Sequence, residues 1–510
     1  MKNIPLDYKE MIAMSKSIAI IGAGVAGLSA GCYARMNGYE TTIFELHNQP
    51  GGLCTSWQRG DYTFDGCVHW LVGTSPTGSM HHIWQELGAL KGKQIVNHEV
   101  YMCYESADGR RLNLYTNADR LEQHLLELAP EDAAISKELA GVIRKLSYID
   151  QMPDNAGILS GLSKLGRMIP ALLALSKYSK YSMMEFAERF TNPFLREAFA
   201  HLDMGLDDFP ILGLVFPLAF MHAGDAGYPV GGSLSLARAI EQRYLELGGK
   251  IRYKSRVEKI ITENGRAVGV VLADKSEQRA DYIISAADGY STIFKMLDGK
   301  YINEEIRSYY EGGLKPFPSL VQVSLGIGRD LSGQPKMVIR PLSTPLVVGT
   351  KKHHTIPFAH YSYDPTMAPP GKSVVITILS TDYQYWKDLY ADKEKYKAEK
   401  ERIAAEVIAA LDEYCPGIKE QVELVDVASP VTFERYTANW QASFEGWLLT
   451  KNTLSLVLKG LPKTLPGLDN FFMIGQWTVI GGGLPPAARD GRDIISRICK
   501  QDGVKFTTTK

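Results

Sequence analysis

The run Ser17 to Ile21 is apolar and β-branched and predicts a buried strand. Leu28 to Met36 follows with helical spacing, its small residues Ala30, Gly31 and Ala34 facing that strand. Asn37-Gly38 ends the helix, and Thr41 to Phe44 predicts a second strand. A similar rhythm returns at Tyr228. Gly231-Gly232 open a helix that ends at Gly248-Gly249, and three or four alternating strands fill Ile251 to Ala286. Near the C-terminus, Phe471 to Gly475 predicts a buried strand. Gly481, Gly482 and Gly483 come next, then Pro485 and Pro486 and a helix through Ile498. Proline suits a first helical turn because its missing N–H would be unpaired there anyway. Between these blocks, Pro76 to Gly224 predicts mostly helices, around Leu87, Leu121 to Leu128 and Ala133 to Ile149. Ile302 to Gly460 mixes strands (Val321 to Ile327, Val374 to Leu379) with a charged helix, Asp392 to Leu411, read as a solvated face with Glu/Lys pairs. The longest apolar stretch, Phe209 to Met221, is broken by Pro210 and Pro217. It is shorter than the ~20 residues a membrane span needs and predicts a buried segment.

Composition narrows the class. The chain has 510 residues, 45% hydrophobic and 22% charged, which is a globular composition. Lys+Arg 56 against Asp+Glu 57 leaves a net charge of −1, with no basic block, so nucleic acid is not an expected partner. Six cysteines without a CxxC pair argue for a reducing compartment, against structural zinc and against a disulfide framework. The first residues, MKNIPLDYKEMIAMSK, lack the apolar core of a secretory signal. The expectation is a cytoplasmic protein with no metal, whose residues 1–14 form a flexible extension.

Chemistry enters at Gly22, Gly24 and Gly27, a G-x-G-x-x-G between strand and helix, with Glu45 at the end of the next strand. Gly22 makes the tight turn, Gly24 admits a pyrophosphate to the backbone, and Gly27 lets helix and strand pack closely. The helix N-terminus, including Ala23, Val25 and Ala26, offers free N–H groups to phosphate, and Glu45, followed by Leu46, can accept from a ribose. Gly51-Gly52, followed by Leu53 and Cys54, adds a second glycine pair that can reach the pyrophosphate from its other side. These residues predict a dinucleotide and leave NAD and FAD open.

The order GxGxxG, Glu45, Gly51-Gly52 and then "GDYTFDGCVHWLVG" (Gly60 to Gly73) resembles the flavoprotein group of phytoene desaturases, carotenoid isomerases and retinol saturases, relatives of the monoamine oxidases. Tyr228 to Asp288 resembles that group's second FAD segment, and Tyr363 to Leu379 and Thr432 to Trp447 resemble further blocks. Gln476 departs from the group, where an acidic residue is commoner. The resemblance implies FAD as cofactor, bound tightly without a covalent link, with Val257 and Ala286 along the nucleotide. It implies that Gly475, Gly482, Gly483 and Leu484 face the flavin ring. The helix after the triplet then points roughly half a positive charge at the edge of the ring that becomes negative on reduction. Cys54 and Cys67 lie on the flavin side of the chain.

The implied fold class is α/β: a Rossmann-like FAD-binding domain built from three chain segments (15–75, 225–301 and 461–504) with an inserted α+β substrate domain (76–224 and 302–460). The implied enzyme is an FAD-dependent oxidoreductase, phytoene dehydrogenase-like. It desaturates, saturates or isomerises carbon–carbon bonds of an apolar polyene, isoprenoid or lipid-like small molecule. No second GxGxxG follows, so the electron donor or acceptor is unidentified: a visiting nicotinamide, a quinone, oxygen or a carrier protein, unless the reaction is redox-neutral. Two alternatives stand. One is amine oxidation, which wants an aromatic pair such as Trp477 and Tyr436. The other is a non-catalytic lipid carrier of Rab escort type. Trp70, Phe209, Phe216, Phe220, Trp440 and Trp447 read either as a substrate wall or as ordinary core. Ile158 to Tyr181 interleaves leucines with Lys164, Arg167, Lys177 and Lys180, which suits either an interfacial helix pair around Pro170 contacting a membrane surface or a helix packed on its own core. His69, in the stretch the resemblance places beside the flavin, is the candidate catalytic residue. It would donate a hydrogen bond to the flavin or protonate a carbon through an imidazole titrating near working pH, or else be held by a backbone carbonyl.

Overall fold

The computed structural model describes residues 16–148, 169–203, 205–206 and 208–508. Residues 1–14, expected to form an extension, and 158–168 of the expected interfacial segment lie outside the described residues. Strand β1 (Ser17–Ile21) leads through Gly22–Gly24 into helix α1 (Val25–Met36), and the chain returns as β2 (Glu40–Phe44). Much later come α2 (Gly232–Glu246), β3 (Lys250–Arg252), β4 (Tyr282–Ser285), β5 (Phe471–Met473) and α3 (Leu484–Gln501). The five strands form one parallel sheet in the order β3-β2-β1-β4-β5. Its central strand is thus the first in sequence, and its outer strand on one side comes from the last segment. This is the Rossmann-like α/β domain built from three chain segments.

Alternation along β1 sorts its residues between two layers. Ile18 and Ile20 pack with Leu28, Ile240 and Ile495 beneath the helices. Ala19 and Ile21 face the other way, against Val257, Ile260 and Val270 of a three-stranded antiparallel sheet (Val257–Glu263, Arg266–Leu272, Glu277–Arg279). Segment 250–286 therefore holds five strands, more than the three or four read from its alternation. The two short ones, β3 and Glu277–Arg279, are only three residues long and leave little periodicity to read. Helices α1 and α3 touch backbone to backbone. The Ser29 hydroxyl donates to the Ala488 carbonyl at 2.6 Å, and a β-carbon on Gly491 would lie 2.5 Å from the Ala30 nitrogen.

The inserted α+β domain is built on a seven-stranded mixed sheet. The order is Val422–Ala428, Ser319–Ile327, Ser373–Thr381, Lys351–His360, Met337–Val348, Val100–Glu105, Arg111–Tyr115. The last two strands come from the segment expected to be helical. They join the rest through a parallel pairing, Val338 beside Cys103, which no local pattern announces. Helix Lys393–Tyr414 covers one part of this sheet with Ile403, Val407 and Leu411 and carries the expected ion pairs outward, including Arg402 with Glu399 and Glu406. Helices Ala118–Leu128, Ala133–Leu146, Pro193–Ala200 and Leu212–His222 share a second core with Tyr104 and Ile339. The expected buried segment is the last of these, with Pro217 inside it.

Candidate active site

In open parallel sheets a ligand sits beyond the C-terminal ends of the strands, where the order reverses. Most of the predicted nucleotide residues meet there. The Gly22 amide donates to the Phe44 carbonyl at 2.8 Å, and the Ala286 amide donates to Ile21 at 2.9 Å. The Gly51 amide donates to the Ala23 carbonyl at 2.9 Å, and Gly24 bridges Gly51. The two glycine stretches thus lie side by side. Glu45, buried at the end of β2, accepts the Ala23 amide at 2.7 Å and the His47 amide at 2.8 Å. Burial pushes its carboxyl up from the ordinary range, against those two bonds. The expectation at Val257 concerns its backbone; its side chain packs in the core beneath the sheet. The strand that carries it starts just after Ser255, whose amide donates to the Glu45 carbonyl at 2.8 Å. Leu46 and Leu53 are half-buried, and the Cys54 thiol donates to the Ser233 carbonyl at 3.4 Å.

The three loop glycines differ in what surrounds them. Gly22 has φ +96°, a backbone region that side chains rarely enter. A β-carbon on Gly27 would lie 2.0 Å from the Gly22 carbonyl oxygen. A β-carbon on Gly24 would meet nothing closer than 3.9 Å, and one on Gly52 nothing closer than 3.7 Å. Gly24 and Gly52 thus border open space. The N-terminus of α1 above them has no side-chain cap and no acidic residue in its first turn. Free N–H groups, a glycine-lined space and an acceptor at Glu45 are what a dinucleotide needs, and the residues fit FAD.

The opposite wall is the 475–484 stretch. A β-carbon on Gly475 would stand 3.4 Å from the Ala26 β-carbon, which joins this loop to α1. Gly482 is pressed against the substrate domain: its β-carbon would lie 2.6 Å from the Glu445 carbonyl oxygen. Gly483 precedes α3, whose N-terminus, starting at Leu484, also lacks a side-chain cap. Asp490 anchors the loop from within α3. Its carboxylate accepts the Gly475 amide at 3.1 Å and the Thr478 hydroxyl at 2.7 Å, and pairs with Lys463. Sequence reasoning missed Asp490, although its place nearly two turns into the helix after the glycines is a readable cue.

Between the two domains lies a wall of aromatic and ionisable side chains. His69 Nδ1 shares a 2.9 Å hydrogen bond with the Tyr361 hydroxyl. Tyr361 and Tyr363 pack against Tyr228, and Tyr363 against His98. Asp65 ties this wall down. Its carboxylate accepts the amides of Cys67, Val68 and Ser233 and the Ser233 hydroxyl, all within 3.0 Å. His69, Lys336 and Glu445 keep part of their surface accessible, yet burial governs their ionisation. Burial, and then the charge of Lys336, brings the His69 imidazole down to about 4. The expectation of an imidazole titrating near working pH is therefore corrected: His69 is neutral there. Burial lifts the Glu445 carboxyl to about 7. Burial likewise brings the Lys336 ammonium down to about 7, so both groups hold exchangeable protons near neutrality, and no motif marked either.

The aromatic expectations divide. Trp440, Trp447 and Trp477 form one cluster, with ring centres 5.0 to 6.1 Å apart, joined by Tyr290 stacked on Trp440. Tyr436 is exposed with its ring against His47, so it does not face Trp477 as an amine cage requires. Trp70 is half-buried and packs against the core beneath the helices. Phe209 belongs to the helical core, with Phe216 packed on it. A surface groove of about 280 Å³, lined by Ser17, Glu40 and Lys250, lies at the N-terminal ends of the strands, the wrong end for a nucleotide.

Residues 25–493 match the family described as flavin containing amine oxidoreductase. The chain is 24% identical to prolycopene isomerase 1 of an Oncidium hybrid cultivar, over 95% of this chain and 84% of that protein. It is also 24% identical to the lycopene-forming phytoene desaturase of a Paracoccus species, over 92% of this chain and 95% of the other. Among solved structures it resembles an oxidoreductase from Methanosarcina mazei, with a TM-score of 0.59 and 18% identity, over 94% of this chain and all of that one.

Proposed function

We propose, from the premise that the chain belongs to the flavin-containing amine oxidoreductase family, that it acts on a carbon–carbon bond of an apolar polyene or isoprenoid-like lipid. It is an FAD-dependent oxidoreductase. Support for the substrate class comes from the names of the relatives, a prolycopene isomerase and a phytoene desaturase. The observation that carries the reading is the glycine-lined space at Gly24 and Gly52, free of any protein side chain, together with an aromatic cavity wall beyond it.

In this reading Gly24, Gly51, Gly52 and the α1 N-terminus hold the pyrophosphate, and Glu45 holds the ribose. Gly475, Gly482, Gly483 and the α3 N-terminus border the flavin ring. FAD, when bound, supplies hydride or one-electron chemistry. The protein supplies the rest. Asp490 holds the glycine loop in shape, and Asp65 holds the segment that carries Cys67 and His69. Tyr361 orients the His69 ring; with the phenol donating to Nδ1, Nε2 presents its hydrogen to the cavity as a fixed donor. Glu445, beside Gly482, moves the proton that a saturation or isomerisation adds to carbon or that a desaturation removes. The aromatic wall keeps water away from that step.

Desaturation, saturation in the retinol saturase manner and isomerisation share these parts, and the electron partner decides among them. Amine oxidation is less well supported, because Trp477 and Tyr436 do not pair. A lipid carrier without chemistry would have no use for the open glycine cradle. Delivery from a membrane surface fits helix 169–178. It buries Ala171, Ala174 and Tyr178 but exposes Ile169 (52%), Leu172 (46%) and Leu173 (66%). Among the described residues no helix is long and apolar enough to cross a membrane, so the contact proposed is peripheral, from the cytoplasmic side. The decisive experiment is an anaerobic titration of the yellow holoprotein. A polyene hydrocarbon should reoxidise or perturb the reduced flavin. A colourless protein, or one that responds to amines and not to polyenes, would overturn the reading.

A further inference from the structure

Lys336 is out of place in an aromatic cavity. It immediately precedes the strand Met337–Val348, and its carbonyl accepts the His360 amide at 2.9 Å. Its ammonium stands 5.7 Å from the centre of the Tyr101 ring. Among the described residues that side chain has no ion pair and no hydrogen bond beyond this ring contact. The ionisable groups that feel its charge are His69, His98 and His360, and no carboxylate is among them. A second polar group nearby is also unmatched. His98 Nε2 is buried with no hydrogen-bond partner, its ring held edge-on against Tyr363 at 4.5 Å.

An ammonium buried without an anion gives up its proton more readily, and burial brings Lys336 down to about 7. An anion bound beside it would hold the charge in place. One ammonium matches one negative charge; a phosphate or diphosphate would call for an arginine fork, and no arginine is among the groups that sense Lys336. We propose that Lys336 and His98 form an anion subsite in the substrate cavity, and that the substrate is an apolar chain ending in a carboxylate. This rests on the reading that an apolar substrate occupies the cavity. Lys336 stands over the Tyr101 ring, and Glu445 stands beside Gly482 with its charge bearing on the same Tyr101 phenol. A carboxylate at Lys336 therefore leaves the hydrocarbon chain to run toward Glu445 and the glycine loop. The subsite fixes which bond along the chain meets the reacting end.

The test uses the holoprotein and three probes of one skeleton: a C20 polyene carboxylic acid, its methyl ester and the parent hydrocarbon. Binding is read from perturbation of the flavin absorbance. The acid should bind about 30-fold more tightly than the ester. Lys336→Met should abolish that preference while keeping ester affinity and flavin content, and Lys336→Arg should keep the preference. Equal affinities in the wild type, or a preference that survives Lys336→Met, overturn the subsite and leave the proposed function standing. Failure of all three probes to perturb the flavin overturns both.

Discussion

The carbonyl oxygen of Gly22 lies 2.0 Å from where a β-carbon on Gly27 would sit, whereas a β-carbon on Gly24 would clear every protein atom by 3.9 Å. Two glycines of one motif therefore differ: Gly27 is required by the packing of the fold, whereas Gly24 borders open space. Gly27→Ala should destabilise the protein itself by about 3 kcal/mol, because a backbone oxygen cannot move aside as a side chain would. Gly24→Val should leave the flavin-stripped protein within about 1 kcal/mol of wild type but carrying little FAD. Thermal melting of stripped protein and the ratio of flavin to protein absorbance separate the two. Equal loss of stability in both variants would sink the distinction.

Asp490 gathers the Gly475 amide, the Thr478 hydroxyl and Lys463 in a buried place. Asp490→Ala strands those donors and should cost about 3 kcal/mol, with FAD released more readily. Thr478→Val removes one of the three and should cost about 1 kcal/mol. Melting midpoints of holoprotein with and without added FAD measure both effects.

The Glu445 carboxyl, raised by burial from 4.5 to about 7, predicts a pH profile. Proton donation should be full below pH 7 and fall as pH rises through it. Glu445→Gln should lower kcat about 100-fold and flatten that limb. His69→Gln should leave the limb in place, since the imidazole, at about 4, is already neutral there. The same carboxyl affects stability. Between pH 4.5 and 7 the unfolded chain has released this proton while the folded chain keeps it. The unfolded state then binds fewer protons, so this contribution to stability declines as pH rises across that window. Denaturant midpoints of wild type and Glu445→Gln, compared from pH 5 to 8, should converge toward the acid end.

Leu172 and Leu173 project from a helix whose other face is buried. If this patch meets lipid, Leu172→Asp/Leu173→Asp should abolish flotation with anionic liposomes while leaving melting unchanged. Flotation of the double variant at wild-type levels would reject the patch as the contact.

What could be read from the chain was local. Gly22, Gly24, Gly27 and Glu45 fall within one strand–helix–strand unit, so spacing alone carries their meaning. Gly482 and Pro485 announce a turn and a helix start in adjacent positions. Lys336 and Glu445 carry no such signal. Each is a common charged residue made unusual only by burial, and that burial comes from segments hundreds of positions away. Strands Val100–Glu105 and Arg111–Tyr115 escaped for the same reason: their place in the large sheet depends on pairing with Met337–Val348. His69 was singled out from its place in the order of motifs, and burial changed the ionisation expected of it. Order along the chain can nominate a residue, whereas ionisation depends on what closes over the side chain.

The parallel sheet is completed by β5, which pairs with β4 across an intervening stretch that holds the second of the substrate domain's two segments. During synthesis, β4 therefore waits with one edge open while that segment is made. Ile283 and Ile284, paired with Ala19 and Ile20 of β1 on one side, have no strand on the other until Phe471 and Phe472 emerge. The anchor of the 475–484 loop, Asp490, arrives later still. Cofactor capture thus works as an inspection of finished chains. A polypeptide that stalls or is cut before β5 presents a sticky strand edge and no FAD, and is open to proteolysis where the completed protein is closed.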